Sequence, residues 1–146
     1  MSNISDKAVI SPNAKIGQNV TIYPFVYIED DVEVGDDCIL YPGVNLMNGT
    51  RLGRGNKLHQ NTVISAIPQD FNYTGGNTLC VIGNDNIIRE NVVINRATYE
   101  DGETRIGDGN FLMEGVHLSH DVHVGNESVM GYGTEIAGDV EIGSHV

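Results

Sequence analysis

The sequence lacks tryptophan and contains only four prolines, two cysteines and five alanines among its 146 residues. No apolar run approaches the roughly 20 residues that a membrane-spanning helix needs, and no signal-peptide pattern is visible. We therefore expect no stable membrane insertion and a cytoplasmic location. In that reducing setting, Cys38 and Cys80 are predicted to be buried packing thiols rather than a disulfide or a redox pair.

Basic residues are also scarce. The chain has 8 lysines and arginines against 20 acidic residues, which gives a net charge of −12. No lysine or arginine follows Arg105, whereas seven acidic residues do. Proteins that bind nucleic acid present basic surfaces to the phosphates. The charge therefore argues against a nucleic-acid partner.

A large aliphatic residue recurs at every sixth position. Starting at Ile4 and stepping by six to Ile142, 21 of 24 positions carry isoleucine, leucine, valine or methionine. The three exceptions are Asp70, Gly76 and Glu100. A six-residue step turns an α-helix by about 240° and would scatter these residues around it, whereas it is a multiple of the two-residue strand period. The repeat predicts short strands whose faces are buried by stacking coils.

Glycines that directly follow the aliphatic position indicate the length of a coil. They recur 18 residues apart in two series: Gly17, Gly35, Gly53 and Gly107, Gly125, Gly143. Eighteen residues are three hexapeptides, so we predict an all-β parallel β-helix with triangular coils. Wider spacings around Gly83 predict two inserted loops, near residues 66–78 and 98–104. Both follow the third aliphatic of a coil and should leave the same edge of the prism.

His120 and Asp121 occupy that same edge, two and three residues after the aliphatic Leu118. Gly138 and Asp139 lie 18 residues further on and should stack on them, since neighbouring strands are about 4.8 Å apart. A histidine, a carboxylate, a glycine amide and two covering loops are the minimum set for acyl transfer. The alternative is a solvated corner, which a His-Asp pair in an acidic protein usually is. The coincidence with both loops favours the chemical interpretation.

Metal binding is another use of histidine. His117, His120 and His123 are spaced by three, and three histidines suit catalytic zinc. However, His117 and His123 are predicted to point outward from consecutive faces, about 120° apart, so they cannot share an ion within one chain. We therefore predict no metal, and only a site between subunits remains as an alternative.

Three segments carry a specific resemblance. They are IPQDFNYTGGNT in the first loop, IRENVVINRAT before the second, and FLMEGVHLSHDVHVGN after it. Together they resemble the UDP-N-acetylglucosamine O-acyltransferases that begin lipid A biosynthesis, over essentially the whole chain. The resemblance implies a left-handed β-helix and a homotrimer with sites between subunits. It also implies acyl donation from acyl carrier protein to the 3-hydroxyl of UDP-N-acetylglucosamine, with no cofactor.

By matching motif, His120 resembles the general base, Asp121 its orienting partner and Gly138 the oxyanion donor, while Asp70 and His117 resemble sugar-nucleotide contacts. The sequence departs from the family at three positions. Asn72 stands where a lysine is common, and Asn95 and Asp139 stand where histidines are frequent. The family also continues into further coils and a basic helical domain. We therefore expect residues 1–146 to be a single β-helix domain that is cut off within a repeat.

Two alternatives stay open at this stage. The chain could serve a related hexapeptide N- or O-acyltransferase reaction, which acceptor assays would separate. It could instead be a trimeric β-helix scaffold without turnover, as the scarcity of basic residues suggests.

Overall fold

The computed structural model describes residues 1–146, which form twenty-one short strands and no helix. The strands are β1 (Asn3–Ile4), β2 (Val9–Ile10), β3 (Lys15–Ile16), β4 (Thr21–Ile22), β5 (Tyr27–Ile28), β6 (Val32–Val34), β7 (Ile39–Leu40), β8 (Asn45–Leu46), β9 (Thr50–Leu52), β10 (Lys57–Leu58), β11 (Val63–Ala66), β12 (Leu79–Ile82), β13 (Ile87–Ile88), β14 (Val93–Asn95), β15 (Glu103–Ile106), β16 (Phe111–Leu112), β17 (His117–Leu118), β18 (His123–Val124), β19 (Val129–Met130), β20 (Glu135–Ile136) and β21 (Glu141–Ile142).

Every third strand belongs to the same sheet, so the chain winds around a triangular prism. Face 1 is the sheet β1-β4-β7-β10-β13-β16-β19, face 2 is β2-β5-β8-β11-β14-β17-β20, and face 3 is β3-β6-β9-β12-β15-β18-β21. All pairings are parallel. The fold is an all-β left-handed parallel β-helix of hexapeptide repeats, as expected.

The register confirms the coil length and both insertions. Thr21 pairs with Ile39 across 18 residues, whereas Lys57 pairs with Ile87 across 30 and Ile87 with Phe111 across 24. The first loop, residues 67–78, joins β11 to β12, and the second, residues 96–102, joins β14 to β15. The second loop begins and ends two residues earlier than predicted. Both loops leave face 2 at its border with face 3, which we call the loop edge.

The aliphatic positions form the core of the prism. Ile94 and Leu118 are completely buried, as are the residues two positions before them, Val92 and Val116. This pairing follows because residues two apart on a strand share one face. Cys38 and Cys80 are both buried and free, as predicted. Burial raises the pKa of the Cys80 thiol to about 12, which keeps it protonated and unreactive near neutral pH.

The corners impose a backbone requirement of their own. The third residue after most aliphatic positions has a positive φ, as at Asn61 (65°), Asp121 (60°) and Asp139 (62°). Asparagine, aspartate and glycine tolerate this left-handed conformation better than other residues. An aspartate at such a corner is therefore explained partly by backbone geometry, before any chemical role is considered.

The structure has no helix with the length and apolar composition that a membrane span requires.

Candidate active site

The imidazole of His120 is held at the loop edge, immediately after β17. Its Nδ1 atom lies 2.8 Å from Oδ2 of Asp121. The same carboxylate oxygen accepts the backbone N–H of Thr98 at 3.1 Å, and the backbone N–H of Asp121 donates to Oγ1 of Thr104 at 2.9 Å. Because a carboxylate only accepts hydrogen bonds, Nδ1 must carry a proton. In the neutral ring, Nε2 is then the lone-pair nitrogen and can act as a base.

Gly138 lies against this ring on the next coil, as predicted. The backbone N–H of Asp139 donates to the carbonyl of His120 at 3.1 Å, which fixes the two corners together. A Cβ atom added to Gly138 would sit 2.4 Å from Nε2 of His120, so only glycine fits here. The backbone N–H of Gly138 has no acceptor within the chain. A free amide donor beside the basic nitrogen is what an oxyanion site requires.

Asp70 reaches the same ring from the first loop. Its Oδ2 atom lies 3.7 Å from Nε2 of His120 and accepts the hydroxyl of Thr98 at 3.1 Å. Its other oxygen accepts the backbone N–H of Asn72 at 3.0 Å. These donors, with the Asn72 amide the strongest influence, hold the pKa of Asp70 below its ordinary value. The side chain is therefore an ionised acceptor beside Nε2 of His120 at neutral pH.

His117 is placed differently from the other predicted residues. It points outward from face 2, and its Nε2 atom lies 2.8 Å from Oδ1 of Asn95. The amide of Asn95 is buried and donates to the carbonyl of Ile67 at 2.9 Å. Asn95 thus links His117 to the first loop. The structure places Asp121, Gly138 and Asp70 around the ring of His120, whereas His117 lies beside this group.

The site is more enclosed than a simple corner would be. The side chains of His120 and Asp121 are each only 16% exposed, because the loops and the next coil cover them. The alternative interpretation of a solvated corner therefore does not fit the structure. The predicted stacking of Asp121 and Asp139 is confirmed. One carboxylate oxygen of each aspartate and one ring nitrogen of His120 all lie within 4.8 Å of one another.

A metal site at this edge would need several histidines or carboxylates to reach one ion. His117 lies on face 2 and His123 on face 3, where His123 contacts the carbonyl of Glu103, so the geometric objection to a shared ion is confirmed. The cluster of His120, Asp121 and Asp139 could offer three ligand atoms. However, Asp121 is already hydrogen-bonded to His120 and Thr98, and Asp139 is exposed. The hydrogen bonds suit a proton-transfer pair better than a metal centre.

Two features of the site were not predicted from the sequence. Thr98 donates to both carboxylates that flank His120. Arg96 anchors the first loop, because its guanidinium contacts the hydroxyl of Tyr73 at 2.8 Å and the carbonyl of Ser65 at 3.0 Å. The available signal was their position: Arg96 and Thr98 are the first and third residues after β14, where the chain leaves the coil at the loop edge.

Comparison with known protein families first identifies the class of sequence repeat in this chain. Residues 13–46 and 103–138 match the family described as bacterial transferase hexapeptide (six repeats). The intervening residues contain the two loops that interrupt the repeat. These two segments of the β-helix are therefore similar to the hexapeptide repeats of bacterial transferases.

Individual relatives show a more specific similarity over nearly the whole chain. The acyl-[acyl-carrier-protein]–UDP-N-acetylglucosamine O-acyltransferase of Thermodesulfovibrio yellowstonii is 40% identical over 143 residues, covering 97% of this chain and 55% of the relative. The enzyme of the same name from Campylobacter concisus is 33% identical over 147 residues, covering 99% and 56%. The chain thus spans about half the length of the curated relatives it matches.

Comparison with solved structures shows similarity to the same enzymes. A UDP-N-acetylglucosamine acyltransferase from Bacteroides fragilis superposes with a TM-score of 0.93 at 46% identity, covering 94% of this chain and 54% of the other. The Arabidopsis enzyme gives 0.79 at 30% identity, covering 97% and 57%. The chain is related to the UDP-N-acetylglucosamine O-acyltransferases, and the resemblance seen in the three motifs is confirmed.

Proposed function

We propose that this chain forms the catalytic β-helix of an acyltransferase that moves a 3-hydroxyacyl chain from acyl carrier protein to the 3-hydroxyl of UDP-N-acetylglucosamine. One observation carries the proposal. His120 is oriented by Asp121 through Nδ1 at 2.8 Å, which leaves Nε2 free beside the unpaired amide of Gly138. A base and an oxyanion donor that face one small space are what acyl transfer to a hydroxyl needs.

The reaction then follows from these groups. Nε2 of His120 removes the proton of the sugar hydroxyl while the oxygen attacks the thioester carbonyl. The tetrahedral oxyanion accepts the N–H of Gly138. When the carbon–sulfur bond breaks, the imidazolium returns its proton to the departing thiolate, and the ester remains on the sugar. Asp121 stabilises the imidazolium without taking its proton.

Substrate contacts are assigned to Asp70 and His117. Asp70 is an ionised acceptor 3.7 Å from Nε2 of His120, which is a suitable position for a second sugar hydroxyl. His117 presents its remaining nitrogen outward from face 2, because Asn95 occupies Nε2. Neither group is basic enough to neutralise a diphosphate alone. The chain has no lysine or arginine after Arg105, so cations for the diphosphate and for the acidic carrier protein would have to come from elsewhere.

A homotrimer is part of the proposal. Faces 1 and 2 carry outward apolar residues that solvent partly reaches, including Val9 (64% exposed), Ile87 (39%) and Val129 (55%). Face 3 instead carries charged residues such as Lys15, Glu33 and Glu141. Apolar patches of this kind mark interfaces. Association through faces 1 and 2 would bring a second copy to the border of the loop edge.

The decisive test is His120→Ala in the intact protein, assayed with 3-hydroxyacyl carrier protein and UDP-N-acetylglucosamine. Loss of a well-placed general base lowers turnover by about 10²–10⁴-fold. His145→Ala is the matched control, because the His145 ring is exposed on another coil and pairs with Glu127, away from the loop edge. Near-normal turnover of His120→Ala would refute the assignment. Preference for a 3-amino sugar acceptor would favour an N-acyltransferase.

A scaffold without turnover is the second candidate. The observation that favours it is the absence of any basic residue on the last coils, which leaves two anionic substrates facing an acidic surface. Like charge weakens encounter, most strongly at low salt. Wild-type protein that forms a stable trimer yet transfers no acyl chain to any sugar acceptor would support this alternative.

A further inference from the structure

Two carboxylates flank the imidazole of His120, one at each nitrogen. Asp121 contacts Nδ1 at 2.8 Å, which orients the ring. Asp70 stands 3.7 Å from Nε2, the nitrogen that would accept the substrate proton. A shift of less than about 1 Å would turn this second approach into a hydrogen-bonded ion pair. The ring would then hold its proton between two anions and could no longer act as a base near neutral pH.

Thr98 and the backbone of Asn72 both donate to Asp70, and Thr98 is the donor to the oxygen that faces His120. The Thr98 side chain is buried, with 2% exposure, at the point where the second loop leaves β14. Its hydroxyl donates to Oδ2 of Asp70 at 3.1 Å, which is the same oxygen that faces Nε2 of His120. Its backbone N–H donates separately to Asp121. The hydroxyl therefore occupies the acceptor site that His120 would otherwise claim.

We propose that Thr98 is a positioning residue whose hydroxyl restrains Asp70 and keeps Nε2 of His120 open for the acceptor hydroxyl. This inference rests on the proposed function for its consequence in turnover, but the restraint itself is a property of the folded chain. Thr98 acts through Asp70 and touches neither His120 nor the reacting atoms.

The surrounding charges do not offer an alternative restraint. Asp121 and Asp139 face His120 from its own corner and from the next coil. Asp101 and Glu103, from the second loop and β15, line the same depression as Asp121. All of these groups are acidic, and no lysine or arginine lies among them. A hydrogen-bond donor such as Thr98 is the only kind of group present that can hold Asp70 away from the ring.

The restraint can be measured without turnover by NMR titration of the His120 ring. Thr98→Val removes the hydroxyl, keeps the shape and leaves the backbone donor to Asp121 in place. Closure of Asp70 onto Nε2 should raise the titration midpoint of His120 by about half to one pH unit, as expected for a partly screened carboxylate that moves into contact. Thr98→Ser keeps a hydroxyl and should restore the wild-type titration.

The double variant Thr98→Val, Asp70→Asn separates this idea from a general structural role. The shift should vanish, so that the double variant titrates like Asp70→Asn alone. Thr98→Ala provides the same loss of the hydroxyl if valine is not accommodated. An unchanged midpoint in folded Thr98→Val and Thr98→Ala, or a shift that persists without Asp70, would overturn the proposal.

Measurements of turnover provide a second, independent test of the role of Thr98. The acid limb of the kcat/KM profile should move to higher pH in Thr98→Val by the same amount as the titration. If the wild-type protein shows no turnover at all, the proposed function fails while the titration still decides the role of Thr98. If turnover is present and its acid limb does not follow the titration, the link between Thr98 and the base is refuted.

Discussion

Two edges of this prism are built from the same repeat but have different roles. At the border of faces 3 and 1, which we call the asparagine edge, Asn56, Asn86 and Asn110 are buried on successive coils. The side-chain oxygen of Asn56 accepts the backbone N–H of Asn86 at 2.9 Å, and that of Asn86 accepts the N–H of Asn110 at 2.8 Å. Their amide groups donate to main-chain carbonyls, including Gly107. Every polar group in this ladder has a partner.

The loop edge leaves some of its polar groups without a partner. Nε2 of His120 and the N–H of Gly138 have no hydrogen bond within the chain, and Gly138 lies against the His120 ring. The surrounding carboxylates are held by single donors from Thr98 and the neighbouring backbone. The comparison shows that a corner of this fold contributes stability when its hydrogen bonds close within the chain. It becomes available for chemistry when they do not.

Breaking the ladder should have the largest effect on stability. Asn86→Ala leaves the buried N–H of Asn110 without an acceptor and removes one donor each from the buried Asn56 and the half-buried carbonyl of Gly107. At roughly 1–3 kcal/mol for each buried group left unpaired, the free energy of unfolding should fall by about 3–5 kcal/mol. Urea denaturation measures this loss. Asn13→Ala, on an exposed corner, is the control and should change stability by less than about 0.5 kcal/mol. A loss below 1 kcal/mol for Asn86→Ala would show that the ladder is dispensable.

The sequence predicted the fold well because one period controls it. A step of six residues determined the strands, the coil of 18 and the edge from which both loops leave. The same arithmetic placed Gly138 and Asp139 over His120 and Asp121. It worked because parallel stacking converts sequence distance directly into spatial distance.

The asparagine ladder and the contacts of Thr98 were not predicted. Asn56, Asn86 and Asn110 occupy inward positions two residues before an aliphatic, where a polar side chain contradicts the simple inward-apolar rule. Only their shared phase could have signalled a ladder. Thr98 lies in an inserted segment outside the repeat, so periodicity gives no position for it. The partial enclosure of His120 was missed for the same reason, since the loops that cover it follow no register.

Freeing the first loop should have a smaller and more local effect. Arg96 ties this loop to the coils through Tyr73, Ser65 and the carbonyl of Asn48, and its guanidinium lies 5.5 Å from the centre of the Tyr73 ring. Arg96→Met removes these bonds but keeps much of the aliphatic stem. We expect a loss of about 1–2 kcal/mol, concentrated in residues 67–78.

Hydrogen exchange distinguishes this local effect from the ladder variant. Amides of the first loop should exchange faster in Arg96→Met, while those of β10 and β13 stay unchanged. Arg105→Met is the matched control, because the exposed Arg105 pairs with Glu103 on face 3 and supports no loop. Faster exchange spread over all coils would mean that the two edges are not energetically separate.

The smallest expected effect is a dependence on pH that belongs to the loop edge alone. The pKa of Asp70 lies below its ordinary value of 3.8, chiefly because the backbone N–H of Asn72 donates to the carboxylate. A group with a lowered folded pKa stabilises the protein above its unfolded value, and this contribution disappears as the pH falls through the folded value. The stability difference between wild type and Asp70→Asn should therefore be greatest near about pH 6 and shrink below about pH 4. Asp6→Asn, on a solvated corner, is the control. A difference that stays constant across this range would show that the ionised carboxylate does not anchor the loop, and that the hydrogen bonds of Asn72 and Thr98 serve only to orient it.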